Sequence, residues 1–131
     1  MIDWDQIHRL RTEIGESDFT DIVQLSLDQL AQAEAELRDT DPGADDAVEA
    51  RLHFLKGMAL TLGFETLAAL CQEGETRAAA GHAAQIDMRA ILNSLRATRA
   101  SFVEGVAELH SGDGQIRNSA SVTSSVMSRR T

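Results

Sequence analysis

The chain has 131 residues, 43% hydrophobic and 25% charged, with 21 acidic side chains against 12 basic and a net charge of −9. That length holds one domain and at most a tail, and that apolar fraction supplies a core, so wholesale disorder is excluded, while the acidic balance argues against nucleic acid, which needs a basic face. The single cysteine, Cys71, excludes an internal disulfide, no apolar run approaches the roughly 20 residues of a membrane span, and the acidic start Met1-Ile2-Asp3-Trp4-Asp5 is no secretory signal, so a cytoplasmic domain without a membrane association is expected.

A first short helix is predicted over residues 4–14, with Trp4, Ile7, Leu10 and Ile14 on one side and Gly15 ending it. Ser17 or Asp18 is placed to cap the second, whose face carries Phe19, Ile22, Val23, Ser26, Leu30, Ala33 and Leu37 before Asp39-Thr40-Asp41-Pro42-Gly43 breaks it. The third spans residues 44–62 with a stripe of Val48, Leu52, Leu55, Ala59 and Leu62, and Gly63 suits its C-terminus. The fourth, residues 64–80, buries Phe64, Leu67, Leu70, Cys71 and Ala78. A turn at Ala80-Gly81-His82 leads to the fifth, residues 84–109, with Met88, Leu92, Leu95, Phe102, Val106 and Leu109.

No run alternates as a strand does. Four long amphipathic segments with short connections predict an all-α fold, an antiparallel four-helix bundle with a short additional N-terminal helix lying across one end. Composition breaks near residue 111. Residues 111–131 are rich in Ser, Thr and Gly and carry a charge of +2, which leaves −11 on residues 1–110. The expected organisation is a domain over 1–110 and a flexible Ser-rich tail over 111–131.

The third helix carries the chemistry. With its apolar stripe as origin and ~100° per residue, His53 falls near 140° and Gly57 near 180°, both pointing away from the core, and Lys56 near 80°, on the flank between. Glu49 and Leu60 lie in the same outer sector. Gly57 in mid-helix costs about 1 kcal/mol relative to Ala, and at an outward position close helix packing does not explain it. Lys56 is the only lysine in the chain. An ammonium three residues after a histidine disfavours the imidazolium, leaves a nucleophilic nitrogen and attracts a phosphoryl group bonded there. On periodicity alone the same residues also read as an ordinary surface histidine beside an ordinary surface lysine.

His53-Phe54-Leu55-Lys56-Gly57, followed by Leu62-Gly63-Phe64 and Leu67-Ala68-Ala69-Leu70-Cys71-Gln72-Glu73-Gly74-Glu75, resembles the histidine-containing phosphotransfer family over residues 53–75. Ile14-Gly15-Glu16-Ser17-Asp18-Phe19 is similar to that family's helix junction, and the likeness extends over nearly all of residues 1–110. The resemblance implies a two-component phosphorelay protein, not an autonomous kinase. His53 would accept a phosphoryl group through Nε2 from a receiver-domain aspartate and pass it on. Lys56 would offset phosphate charge, Gly57 would let the receiver approach, and Glu49, Leu60 and Phe64 would belong to the docking surface. Receiver domains of response regulators and a hybrid histidine kinase would be the partners of a monomer. Magnesium would come with the receiver, so neither a metal site nor another cofactor is expected here. The chain departs from the family's pattern at Met58, where Ser or Ala is usual, and at Gly74, where Leu is usual, which is expected to loosen the fourth helix there.

His8, His82 and His110 are scattered without ligand spacing and read as surface residues. Cys71 reads as a buried structural thiol, and Asp45-Asp46 and Glu73/Glu75 as solvated or capping charge. No Gly-rich phosphate loop is present, which speaks against ATP binding. A histidine-kinase dimerisation domain usually has an acidic residue after its histidine; here Phe54 follows. The competing functional class is a helical adaptor that binds signalling partners without phosphotransfer.

Overall fold

A computed structural model describes the backbone of residues 2–118 and the side chains of residues 2–109. All regular structure among them is helical: α1 (Trp4–Ile14), α2 (Glu16–Asp39), α3 (Asp45–Leu62), α4 (Glu65–Ala79), a 3-10 turn (Ala83–Gln85) and α5 (Met88–Asn118). This is the all-α bundle the periodicities predict. No helix among the described residues is long and apolar enough to cross a membrane.

Gly15 joins α1 to α2 without a linker. Its φ of +88° reverses the chain, its N–H donates to Arg11 O at 3.0 Å, and its own carbonyl accepts from Phe19 at 2.9 Å. Helix α2 therefore begins at Glu16 with Gly15 as its N-cap, and neither Ser17 nor Asp18 caps it. The end of α3 is held from two sides. Gly63 takes φ +75°, and Phe64 N–H reaches back to Ala59 O at 2.8 Å. A Cβ on Gly63 would lie 3.1 Å from both Cβ and O of Asp3, so glycine is needed for its backbone and for its size. Gln6 of α1 donates through Nε2 to Leu60 O at 2.9 Å and Thr61 O at 2.7 Å. It satisfies last-turn carbonyls that have no partner within the helix, and so ties α1 to the end of α3.

The stripe predicted for α3 is buried at every position. It faces α2, with Phe19, Val23, Leu30, Ala33 and Leu37, and α4, with Leu67, Ala68, Cys71 and Ala78. Leu70 is only half-buried, and Ile22, placed on the core face of α2 by its spacing, is 38% exposed. Helix α5 starts at Met88 rather than Ala84, because Ala83–Gln85 forms the separate turn and Asp87 Oδ1 accepts from Ala90 N at 3.1 Å. Its buried positions include Ile91, Leu95, Thr98, Phe102 and Val106, whereas Met88, Leu92 and Leu109 are half-buried.

A polar contact that the apolar pattern does not disclose links α2 to α5. Glu34 is buried and pairs with Arg96 at 2.7 Å and Arg99 at 3.0 Å, with Arg38 at 3.8 Å. By packing, the chain divides into Met1–Arg99, which holds everything described so far up to Arg99, and Ala100–Thr131. The backbone of α5 is helical past residue 110 to Asn118, so the change of composition near residue 111 does not end the helix. Residues 119–131, the rest of the predicted tail, lie outside the described residues.

Candidate phosphotransfer site

Two turns of α3 and one of α4 build the site. Helices α3 and α4 run antiparallel, and His53 and Lys56, three residues apart, meet Glu75 and Gln72, three residues apart in the opposite sense. His53 Nδ1 lies 2.8 Å from Glu75 Oε2, Lys56 Nζ lies 2.8 Å from Glu75 Oε1, and Lys56 Nζ donates to Gln72 Oε1 at 3.0 Å. The core sides of these turns, Leu52, Leu55, Leu67 and Cys71, are wholly buried, which holds the polar rim in register.

Gly74 brings the helices close at this level. It is buried, and a Cβ there would stand 2.7 Å from Leu52 Cδ1 and 3.4 Å from Ile91 Cδ1. The missing side chain lets the backbone carrying Glu75 settle against the residue before His53. The glycine that departs from the family's pattern is thus a packing position between α3 and α4.

Glu75 corrects the reading of the Glu73/Glu75 pair. Glu73 is indeed exposed and paired within its helix to Arg77 at 3.3 Å. The Glu75 side chain is only 16% exposed and is turned into the cluster. The hydrogen bond from the Lys56 ammonium, then that from His53, holds its carboxyl below the usual value against the opposing effect of burial. An ionised carboxylate only accepts, so in the neutral ring Nδ1 carries the proton and Nε2 the lone pair. The group in contact with the imidazole is therefore an anion, with the ammonium on that anion's other oxygen. The ring is oriented from Nδ1 while its side chain stays 70% exposed.

Gly57 is exposed, and a Cβ on it would meet nothing within 4 Å. Leu60 is 59% exposed, and Glu49 is half-buried. Phe64 corrects the docking surface: it is 1% exposed. Gly63 turns the chain before it, and the Phe64 ring enters the core at the start of α4, as the face predicted for the fourth helix has it. Phe54, which the pattern did not single out, is 52% exposed beside His53. Cys71 is buried, and burial, followed by the charge of Glu75, pushes its thiol up to about 12, which makes it inert as a nucleophile. His8 and His82 are exposed, and the His110 side chain lies outside the described residues.

Glu75 was legible in principle. Residues 72 and 75 repeat the spacing of residues 53 and 56, and an antiparallel connection closed at Gly63 brings the two pairs level.

The Hpt domain family model matches residues 17–101, which takes in nearly all of α2, all of α3 and α4 and the first part of α5. Comparisons with curated proteins and with solved structures give no match. The matched region contains the exposed histidine, its carboxylate and its lysine on two antiparallel helices, and the chain belongs to the Hpt domain family, the histidine phosphotransfer modules of two-component systems, which exchange phosphoryl groups with receiver domains and are not kinases.

Proposed function

We propose that His53 is the phospho-acceptor of this chain and relays a phosphoryl group reversibly between receiver-domain aspartates. The observation that carries the reading is the contact of the Glu75 carboxylate with Nδ1, which leaves the exposed Nε2 as the nucleophilic nitrogen. In the forward step the Nε2 lone pair attacks the phosphorus of the receiver's aspartyl phosphate. The N–P bond forms as the bond from phosphorus to the carboxylate oxygen breaks, and the electron pair leaves with the receiver's carboxylate. Nδ1 keeps its proton, the ring becomes cationic, and Glu75 stabilises that charge. The return step is the reverse.

Lys56 flanks the ring and supplies the cation that offsets phosphoryl charge. Gly57 keeps the next turn low so that the receiver's aspartate reaches Nε2, and Leu60, with Glu49 at the edge, contributes to docking. The rest of the transition-state stabilisation belongs to the receiver, since phosphoryl transfer is largely positioning and charge neutralisation.

The test is transfer from a phosphorylated receiver domain to the wild-type chain and to His53→Gln. An acid-labile, alkali-stable label on the wild type alone is the expected result. Binding without label would overturn it and favour the adaptor, for which an oriented imidazole has no use.

A further inference from the structure

The lysine of the cluster is held by two acceptors of different charge. Lys56 Nζ lies 2.8 Å from Glu75 Oε1 and donates to Gln72 Oε1 at 3.0 Å, and its side chain is only 19% exposed. The Gln72 amide is itself fixed. An ammonium only donates, so the amide oxygen faces Lys56 and the NH2 faces away, where it donates to Thr76 Oγ1 at 3.2 Å. The Thr76 hydroxyl donates its one proton to Gln72 O at 3.0 Å, one turn earlier, and keeps a lone pair for that NH2. Gln72 carries no charge, although Glu73 and Glu75 follow it, and Glu73 is turned to Arg77 at 3.3 Å.

Resting on the reading of His53 as phospho-acceptor, we infer that Gln72 is a positioning residue for transfer, which fixes the Lys56 ammonium in the cluster without neutralising it. An ammonium has three N–H donors. Glu75 takes one and Gln72 a second, so one direction is left for the phosphoryl oxygens. A cation ordered before the reaction contributes more than a mobile one, because a long side chain no longer has to be immobilised as the charge develops. The charges lead to the same residue. Lys56 and Glu75 cancel, so the anionic phosphoryl group arrives at a cluster with no net charge. A carboxylate at position 72 would hold Lys56 equally well, but it would make the cluster negative beforehand and oppose the phosphoryl group.

Gln72 is exposed, so its substitution leaves the core packing intact. Gln72→Met keeps the length and loses the acceptor, whereas Gln72→Glu keeps the acceptor and adds a charge. Phosphoramidate separates positioning from docking, because it is small enough to need no docking surface. It carries its nitrogen as an ammonium, so its P–N bond breaks as the Nε2–P bond forms, and ammonia leaves. Gln72→Met should slow labelling by phosphoramidate about threefold, and Gln72→Glu about fivefold or more. With a phosphorylated receiver domain chosen from a panel for transfer with the wild type, the same losses should appear in kcat at constant KM. In a Lys56→Ala background Gln72→Met should have no further effect, because the group it positions is gone. Wild-type rates in Gln72→Glu would overturn the inference, as would a loss in Gln72→Met that persists without Lys56, or one confined to KM for the receiver. Failure of phosphoramidate to label the wild type would instead overturn the reading of His53.

Discussion

Replacing Glu75 isolates what orientation of the imidazole contributes. Glu75→Ala removes the acceptor from Nδ1–H and the counter-ion of Lys56, both now at 2.8 Å. A hydrogen bond to a charged group is worth about 1.5–3 kcal/mol. The His53 side chain is 70% exposed, so the lower end applies. Only the part that strengthens as the ring turns cationic reaches the rate. A loss near 1.4 kcal/mol corresponds to about tenfold. The expected result is therefore roughly tenfold slower labelling for Glu75→Ala. Glu75→Gln should lose only a few-fold, since its amide oxygen still accepts from Nδ1–H without the charge. Because the defect lies in the ring, phosphoramidate and a phosphorylated receiver should be affected alike in single-turnover measurements. Wild-type rates with both donors would refute the reasoning, and a defect confined to the receiver would move Glu75 from the chemistry to docking.

Lys56→Ala should slow transfer several-fold or shorten phosphohistidine lifetime while receiver binding persists, read by decay of the alkali-stable label and by titration. Gly57→Ala should raise stability by about 0.5–1 kcal/mol, because nothing stands within 4 Å of the new methyl, yet slow transfer from a receiver and leave phosphoramidate labelling unchanged. Transfer at the wild-type rate would remove Gly57 from the docking account. Glu34→Gln should destabilise the fold by about 2 kcal/mol in denaturant titration, less than for a fully buried pair, because Arg96 and Arg99 are 46% and 30% exposed. Arg96 above all holds the Glu34 carboxyl below its ordinary value of 4.5. That stability is present above 4.5 and is lost as pH falls through the lower folded value, so the gap between wild type and Glu34→Gln should be constant from neutral pH to about 5 and close on further acidification.

Local rules made most of the framework readable, and long-range pairing made the rest opaque. The α3 stripe from Val48 to Leu62 is buried as its period requires, and Gly15, Gly63 and the Pro42-Gly43 turn divide the chain where backbone constraints demand. His53, Lys56 and Gly57 face outward or flank as a helical wheel places them. Phe64 is buried, as the apolar face predicted for the fourth helix has it, and only the docking role that the family resemblance implied for it is overturned. Glu75 failed for a different reason, and Glu34 went unread for the same one. A carboxylate next to other charges looks solvated until the facing helix is known, and Glu75 takes its ammonium and its imidazole from α3 while Glu34 takes its two nearest cations from α5. Gly74 was misjudged in the same way: a helix-interior glycine reads as a weakness unless the side chain opposite, here Leu52, is in view.

The asymmetry of the site bears on the relay itself. Its inner half is engaged, with one carboxylate holding both the imidazole and the ammonium and Gln72 sharing the ammonium. Its outer half presents Nε2, an open glycine and exposed apolar side chains. An acceptor that must also donate gains nothing from gripping the phosphoryl group, because binding that is equally strong in the phosphorylated state and in the transition state only deepens the well from which the group must leave. Lys56 is the cation in contact with the cluster, and its charge is already shared with Glu75. The phosphoryl group would thus be balanced rather than clamped, and the balance would shift only when a receiver brings its own charges to the open side. Exchange would then be fast in a docked complex and slow in the free protein, where a tight phosphate pocket on this chain would instead make His53 an end point.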